Sequence, residues 1–366
     1  MSAPAVPVPR VAIPMLTLVR GGMGGSETYA RELVSRLAAN DRVDAVAVVP
    51  DAAAGFSAPL PEVAVPGLDG GGSTAQRLST LASAMLKGRG IRRSWGDRTV
   101  VHYPFTVPAP RPPKGTPWIV TLHDVQHLDL PHLFSRSELA FRRRFYDTPA
   151  READLVITVS EFCRSRIVEQ LRIDPDRVVV AHLGVDVSEF VPFAGEREPF
   201  VLFPARGWPH KNHARLVEAM QIVRERHPDL TLVLTGGALD QLGELPEWVD
   251  RRGLVSLDEL RELYRTASLV AFPSLYEGFG LPPLEAMASG CPVAVAHSGS
   301  LPEVVGDAAV LFDPHSVDAI AEGILEALNR GNAGFEAGLA RAASFTWDRC
   351  VERHVEAYER AIETRS

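Results

Sequence analysis

Residues 276–290, Tyr-Glu-Gly-Phe-Gly-Leu-Pro-Pro-Leu-Glu-Ala-Met-Ala-Ser-Gly, constrain this chain more than any other stretch. Ahead of them the apolar run 269–273 reads as a buried strand. Gly278 and Gly280 break that run. Pro282 and Pro283 fall in the first turn of a helix, where a missing N–H costs nothing, and Gly290 stops the helix. A strand, glycine loop and helix in this order send N–H groups and the positive end of a helix outward from the carboxyl edge of a strand. That setting suits a phosphate or a sugar hydroxyl. Two carboxylates bracket the loop, Glu277 before it and Glu285 one turn into the helix. Solvation and the helix dipole account for either one alone, but not for the pair around this loop.

The Glu-x7-Glu spacing with Gly-Phe-Gly-Leu-Pro inside it resembles the retaining nucleotide-sugar glycosyltransferases of family 4. Ordered motifs extend from the first glycine loop to the last helix, so the resemblance covers nearly the whole chain. It implies an α/β GT-B fold: two Rossmann-like doubly wound parallel-sheet domains facing a central cleft, with a C-terminal helix crossing back to the N-domain. The expected domains are 1–190 on the acceptor side, joined by the returning helix 347–366, and 198–346 for the nucleotide sugar.

At 366 residues there is room for two such cores. Apolar residues make up 46% and charged residues 23%, as in a soluble globular protein. No apolar run reaches the length of a membrane span, and the Pro-dotted start has no signal-peptide pattern. Cys163, Cys291 and Cys350 lie far apart without metal-ligand spacing, which reads as buried free thiols in a reducing compartment. A cytoplasmic protein is expected, with a peripheral place at the inner membrane face as an extension of that reading.

Charge is uneven: residues 1–190 carry a net +2 and the remainder −10. Arg77, Lys87, Arg89, Arg92, Arg93 and Arg98 lie close together, and Arg142, Arg143 and Arg144 form a run. A solvated helix face is the ordinary source of such runs; the sharper alternative is an anionic acceptor or an anionic membrane. No aromatic-interleaved basic stretch or zinc pattern points to nucleic acid.

Along the first half, residues 10–19 read as a strand, although Pro14 argues against its length. The glycine loop 21–25 follows, with Ser26 as N-cap of a helix carrying Tyr29, Leu33 and Leu37. Strands are expected at 43–49, 100–103, 118–122, 154–159 and 177–181, with a loop reaching residue 73, helices at 75–86 and 138–152, and Ser160 capping another. His123, Asp124 and His127 stand at the carboxyl end of 118–122, the end where ligands bind in an open parallel sheet. A metal is the alternative for these three, but no third strong ligand accompanies them. Asp174-Pro-Asp176 has the form of a cation-holding pair, yet a turn before a strand explains it better.

In the second half a strand at 200–203 leads to Arg206 and Lys211 and a helix with Leu216, Met220 and Val223 on one face. Where the family carries a clear strand and a Gly-x-Val-Ser turn, residues 251–256 read Arg-Arg-Gly-Leu-Val-Ser, but Ser256 and Glu259 form a capping box. The resemblance implies that Lys211 and Arg206 meet the donor diphosphate, that Gly24, Gly25, Gly278, Phe279, Gly280 and Leu281 form its loops, and that Glu277 holds the sugar and Glu285 the ribose. It puts His123 beside the donor sugar and Asp124 and His127 on the acceptor side. The implied chemistry is retaining, metal-independent hexosyl transfer from a nucleotide diphosphate sugar, GDP-mannose foremost, to a glycan, glycolipid or other hydroxyl acceptor. No cofactor is needed beyond that co-substrate. The rivals are an epimerase or phosphorylase of the same architecture and a non-catalytic sugar-nucleotide-binding subunit. Requirements for acceptor or inorganic phosphate, and release of nucleotide, separate them.

Overall fold

The computed structural model describes residues 8–68, 74–193 and 195–365. The first residues of the Pro-dotted start and residues 69–73 of the expected loop lie outside the described residues. The chain divides into two compact units. The first comprises Met1–Val159, Cys163–His182 and Trp347–Ser366; the second comprises Ser160–Phe162 and Leu183–Thr346.

The first unit is built on seven strands: β1 Arg10–Pro14, β2 Asp44–Pro50, β3 Glu62–Val65, β4 Val100–Tyr103, β5 Trp118–Thr121, β6 Leu155–Thr158 and β7 Val178–Val180. Their order is β3-β2-β1-β4-β5-β6-β7, and every pair is parallel. A parallel sheet covered on both faces needs apolar residues at successive positions, and β4, β5, β6 and β7 are buried throughout. The second unit repeats the plan with β8 Glu198–Pro204, β9 Thr231–Thr235, β10 Val249–Gly253, β11 Ala267–Phe272, β12 Val293–Ala296 and β13 Val310–Phe312. Its order is β10-β9-β8-β11-β12-β13, again all parallel. Both sheets reverse direction of growth at one point, between β1 and β4 in the first and between β8 and β11 in the second. Ligand sites in such sheets form at that switch, beyond the strands' carboxyl ends. This is the expected pair of Rossmann-like folds. The helix Trp347–Glu363 belongs to the first unit, packing against the Gly25–Ala38 helix and β4 to β7.

Several expectations need correction. β1 stops at Pro14 instead of running on to residue 19, because Met15 N–H makes a last bond to Val48 and the chain then turns. The helix after the glycine loop starts at Gly25 with Gly24 as its N-cap, so Ser26 lies inside the first turn. Two strands escaped the sequence pattern, β3 and β10. Each forms one edge of its sheet, and β10 (Val-Asp-Arg-Arg-Gly) is largely exposed, as suits an edge protected by charge. The helix expected over 138–152 is Arg136–Arg142, a π turn Arg143–Asp147 and Thr148–Glu152 end to end. Asp174 accepts a hydrogen bond from Asp176 N–H at 3.0 Å, which makes that pair a turn. The Ser256 hydroxyl accepts from Glu259 N–H at 3.1 Å, as a capping box requires. All three cysteines are buried and free.

Beneath the first sheet a chain of polar groups crosses the core. Tyr29 Oη lies 2.8 Å from Thr121 Oγ1 and 2.7 Å from His354 Nε2. His102 reaches Thr121 Oγ1 at 2.8 Å and Tyr358 Oη at 2.9 Å. Every member is fully buried, so each bond satisfies a group that would otherwise be costly to desolvate. Burial holds both imidazoles neutral, with His354 pushed down to about 4 and His102 well below its ordinary value.

Candidate functional site

At the switch point of the second sheet, two loops leave adjacent strands. One follows β8 and carries Arg206 and Lys211; the other follows β11 and carries Glu277 through Leu281. Leu275 N–H bonds to the His210 carbonyl at 2.7 Å and joins the two loops. Asn212, in the left-handed region at φ 65°, donates from its amide to the carbonyls of Pro273 and Pro314 at 3.1 and 2.8 Å. Lys211 is thereby held with its Nζ 2.5 Å from Glu277 Oε1 and 5.2 Å from the centre of the Phe272 ring. Both side chains of this ion pair are mostly covered, 14% and 13% exposed. Arg206 stacks on Trp208 at 5.3 Å.

The glycine loop after β11 is fixed through its carbonyls. Ser300 Oγ donates to Glu277 and Phe279 carbonyls at 3.0 and 2.6 Å, and Ser160 Oγ donates to that of Gly278 at 2.7 Å. Gly299 makes the first of these contacts sterically feasible: at φ +58° it lies so close that a Cβ would sit 2.8 Å from Glu277 N and O. Gly280, at φ +116°, turns the chain into the Leu281–Ala288 helix, with Pro in the first turn as the sequence reading expects. Ser160, expected as a helix cap, also donates its hydroxyl to the Gly278 carbonyl, and the carboxylate of Glu303 accepts the N–H groups of Glu161 and Phe162 at 2.8 and 3.0 Å.

Glu285 lies half-buried one turn into that helix, its Oε2 accepting the Tyr264 hydroxyl at 2.8 Å. Burial raises the Glu285 carboxyl above its ordinary range, and the bond from Tyr264 together with the Arg261 charge opposes that rise. His213, at the start of the helix following Lys211, is buried against Phe203 with ring centres 4.6 Å apart. Burial and the Lys211 charge push it down to about 4.

In the first unit, His123 follows β5 at half burial. Its Nε2 lies 3.1 Å from the Pro104 carbonyl, and its own carbonyl lies 3.2 Å from Cys163 Sγ. Tyr29 packs edge-on against its ring at 4.9 Å. Burial lowers its basicity, so the ring is held neutral. Asp124 Oδ1 accepts from Gln126 N–H at 3.0 Å, an Asx turn. His127 is 1% exposed, with Nε2 2.8 Å from Asp147 Oδ1. Around the first glycine loop, the Glu27 carboxylate accepts from Gly21 N–H at 2.9 Å and Met23 N–H at 3.4 Å. Those two donors are therefore already satisfied, leaving Gly24 and Gly25 at the helix start as the candidate contacts. Among the described residues no His, Cys, Asp or Glu cluster has the form of a metal site.

Sequence reasoning did not single out Tyr264, Ser300, Ser160 as an anchor, or Glu27. Each acts through a partner on another element, and only Glu27, a carboxylate in a first helical turn, carried a local signal.

Residues 23–189 match the family described as Glycosyltransferase Family 4, and residues 186–334 match Glycosyl transferases group 1. The chain is 32% identical over 266 residues to O-antigen chain mannosyltransferase B of Escherichia coli, an alignment spanning 66% of this chain and 70% of that protein. Among solved structures, sucrose-phosphate synthase from Thermosynechococcus elongatus superposes with a TM-score of 0.77 over 97% of this chain and 99% of that one, at 19% identity. Anabaena Alr3699/HepE in complex with UDP-glucose gives 0.71 over 94% and 98%, also at 19% identity.

Proposed function

Because the chain belongs to glycosyltransferase family 4, we propose that it moves a hexose from a nucleotide diphosphate sugar to a hydroxyl of a glycan or glycolipid with retention, giving an α-linkage. The observation that carries this reading is the Lys211–Glu277 pair at the switch point of the second sheet, where two loops and a helix start converge.

The chemistry follows from charge. As the bond from the anomeric carbon to the phosphate oxygen breaks, negative charge grows on the diphosphate. Cations already held in place stabilise it without reorganisation, an effect of the kind that contributes ~10²–10³ in rate per donor group. Lys211 and Arg206 supply that charge, which leaves no task for a metal ion. The N–H groups of Gly278, Phe279, Gly280 and Leu281 are proposed as donors to the diphosphate, and Gly24 and Gly25 of the first unit as further donor-binding positions. Glu277 orients Lys211 and accepts from sugar hydroxyls; Glu285 accepts from the ribose hydroxyls, its buried carboxylate steadied by Tyr264. The acceptor oxygen bonds to the anomeric carbon on the face the phosphate leaves, and its proton passes to the departing phosphate oxygen. His123 is proposed to serve the donor sugar and Asp124 the acceptor side; His127, buried against Asp147, would support that acceptor-side loop from beneath.

GDP-mannose is the proposed donor, supported by the mannosyl-transferring relative. The site is proposed to work in the cytoplasm. A thermal-shift panel of nucleotide sugars tests the donor, followed by anomeric NMR of the product. The largest stabilisation is expected from GDP-mannose and an α-anomer in the product. A larger shift with UDP-glucose overturns the donor, and a β-product overturns retention.

A further inference from the structure

We propose, resting on the reading of Glu285 as the ribose ligand, that Glu189 and Arg261 are positioning residues for it. The turn ahead of β8 holds the Arg261–Tyr264 face of the Leu257–Thr266 helix in place, and so acts on a bound nucleotide through Glu285. Asp186 Oδ1 accepts from Ser188 N–H at 3.1 Å and from the Ser188 hydroxyl at 2.6 Å, which closes the short turn Val187–Glu189. Phe190 comes next and is buried, its ring centre 6.3 Å from that of Tyr264. The Arg261 guanidinium lies 5.9 Å from the centre of the same Phe190 ring and pairs with the Glu189 carboxylate. Arg261 and Tyr264 stand three apart on their helix, so they share a face. Farther along the segment, Arg197 donates to the Gly290 carbonyl at 2.6 Å, just past the helix that carries Glu285. The segment is thus fastened at one end beside Tyr264, which bonds to Glu285, and at the other to the end of the helix that bears Glu285.

One guanidinium therefore serves more than one acid. Glu189 meets it directly, as does the almost wholly exposed Asp258 at 3.1 Å. Glu285 feels the same charge through space, beside the Tyr264 hydroxyl that it accepts at 2.8 Å. A ribose hydroxyl bonds more strongly to an ionised carboxylate than to a neutral one, whereas burial favours the neutral form. Tyr264 and Arg261 work against that burial, and Glu189 works with it. Cys291, near Tyr264, remains a neutral thiol because burial pushes it up to about 12. The Glu189–Arg261 pair, with side chains 51% and 30% exposed, is too open to water to matter much for stability. Its consequence is the share of positive charge that it leaves for Glu285.

Breaking the pair from each end in turn is the test, because loss of a salt bridge alone would affect both variants alike. Calorimetry of the full chain gives the affinity for GDP and for UDP against pH, and the tighter of the two serves for the comparison. Titration of the nucleotide's own phosphate is common to all variants and cancels between them. Affinity falls on the acid side as Glu285 takes up a proton. E189Q removes a negative charge, so that fall should move to lower pH; R261Q removes a positive one, so it should move to higher pH. Each shift is expected to be about 0.3–1 pH unit, the size of one charge felt across several ångströms of partly solvated protein. R261K keeps the charge and should restore the wild-type profile, and E189Q/R261Q should shift less than R261Q. Shifts of the same sign in E189Q and R261Q, or an unmoved profile in either, overturn the proposal. Y264F separates that failure from failure of the underlying reading. If Y264F moves the fall upward while E189Q and R261Q do not move it, only the part given to Glu189 and Arg261 is lost. If Y264F also leaves it in place, or if the wild type binds neither nucleotide, the reading of Glu285 as the ribose ligand falls as well.

Discussion

Replacing Lys211 by methionine keeps the length and packing of the side chain over Phe272 but removes the charge, leaving Glu277 without its partner at 2.5 Å. Fully buried pairs broken in this way cost about 3–5 kcal/mol and exposed ones about 0–1. With the two side chains 14% and 13% exposed, the loss falls between these limits, at about 2 kcal/mol. For a unit of this size that lowers the melting temperature by roughly 4–8 °C. K211M/E277Q, which removes both charges, should recover most of that stability.

Turnover behaves differently. If Lys211 neutralises the departing diphosphate, K211M lowers kcat by about 10²–10³, and the double variant stays low because no cation has been returned. Nucleotide release, followed alongside thermal melts of the single and double variants, separates the two effects. Turnover of K211M within about threefold of wild type would refute the reasoning. Recovery of turnover in K211M/E277Q would refute it equally, since Lys211 would then serve only to balance Glu277.

Two further outcomes follow from the buried titratable groups. Tyr264→Phe removes the hydroxyl that holds Glu285 ionised against its burial, with Arg261 assisting and Glu189 opposing. The Glu285 carboxyl should therefore rise further, and the acid limb of the kcat/KM profile should move to higher pH; an unmoved limb counts against Glu285 as a donor ligand. The His354 imidazole is depressed to about 4 in the fold from an ordinary 6.5, so its contribution to stability is present above 6.5 and is lost as pH falls toward 4. At about pH 5 that loss amounts to ~2 kcal/mol, to which the depressed His102 adds. Melting temperatures should fall between about pH 7.5 and 5, and His354→Gln should flatten the fall; a flat profile for the native chain contradicts it.

The sequence by itself determined the features that depend on a few neighbouring residues. Proline in the first turn and the glycines at 280 and 290 bound the Leu281–Ala288 helix because φ and the missing N–H are properties of single residues. The apolar runs of the central strands were legible for a related reason: a strand buried on both faces has no place for a polar residue. The edge strands β3 and β10 were not, since a half-exposed edge needs no apolar run and its pairing is decided by the neighbour it meets. Candidate site residues could be named from the sequence, but their partners could not. Lys211 meets Glu277 across 66 positions, Tyr264 meets Glu285 across 21, and Tyr29 meets His354 across 325. His127 likewise finds Asp147 within the core. Only strand order and packing bring such groups within 3 Å of each other. Local chain chemistry fixes where an element begins and ends; which charge is balanced, and by what, is decided when the sheets assemble.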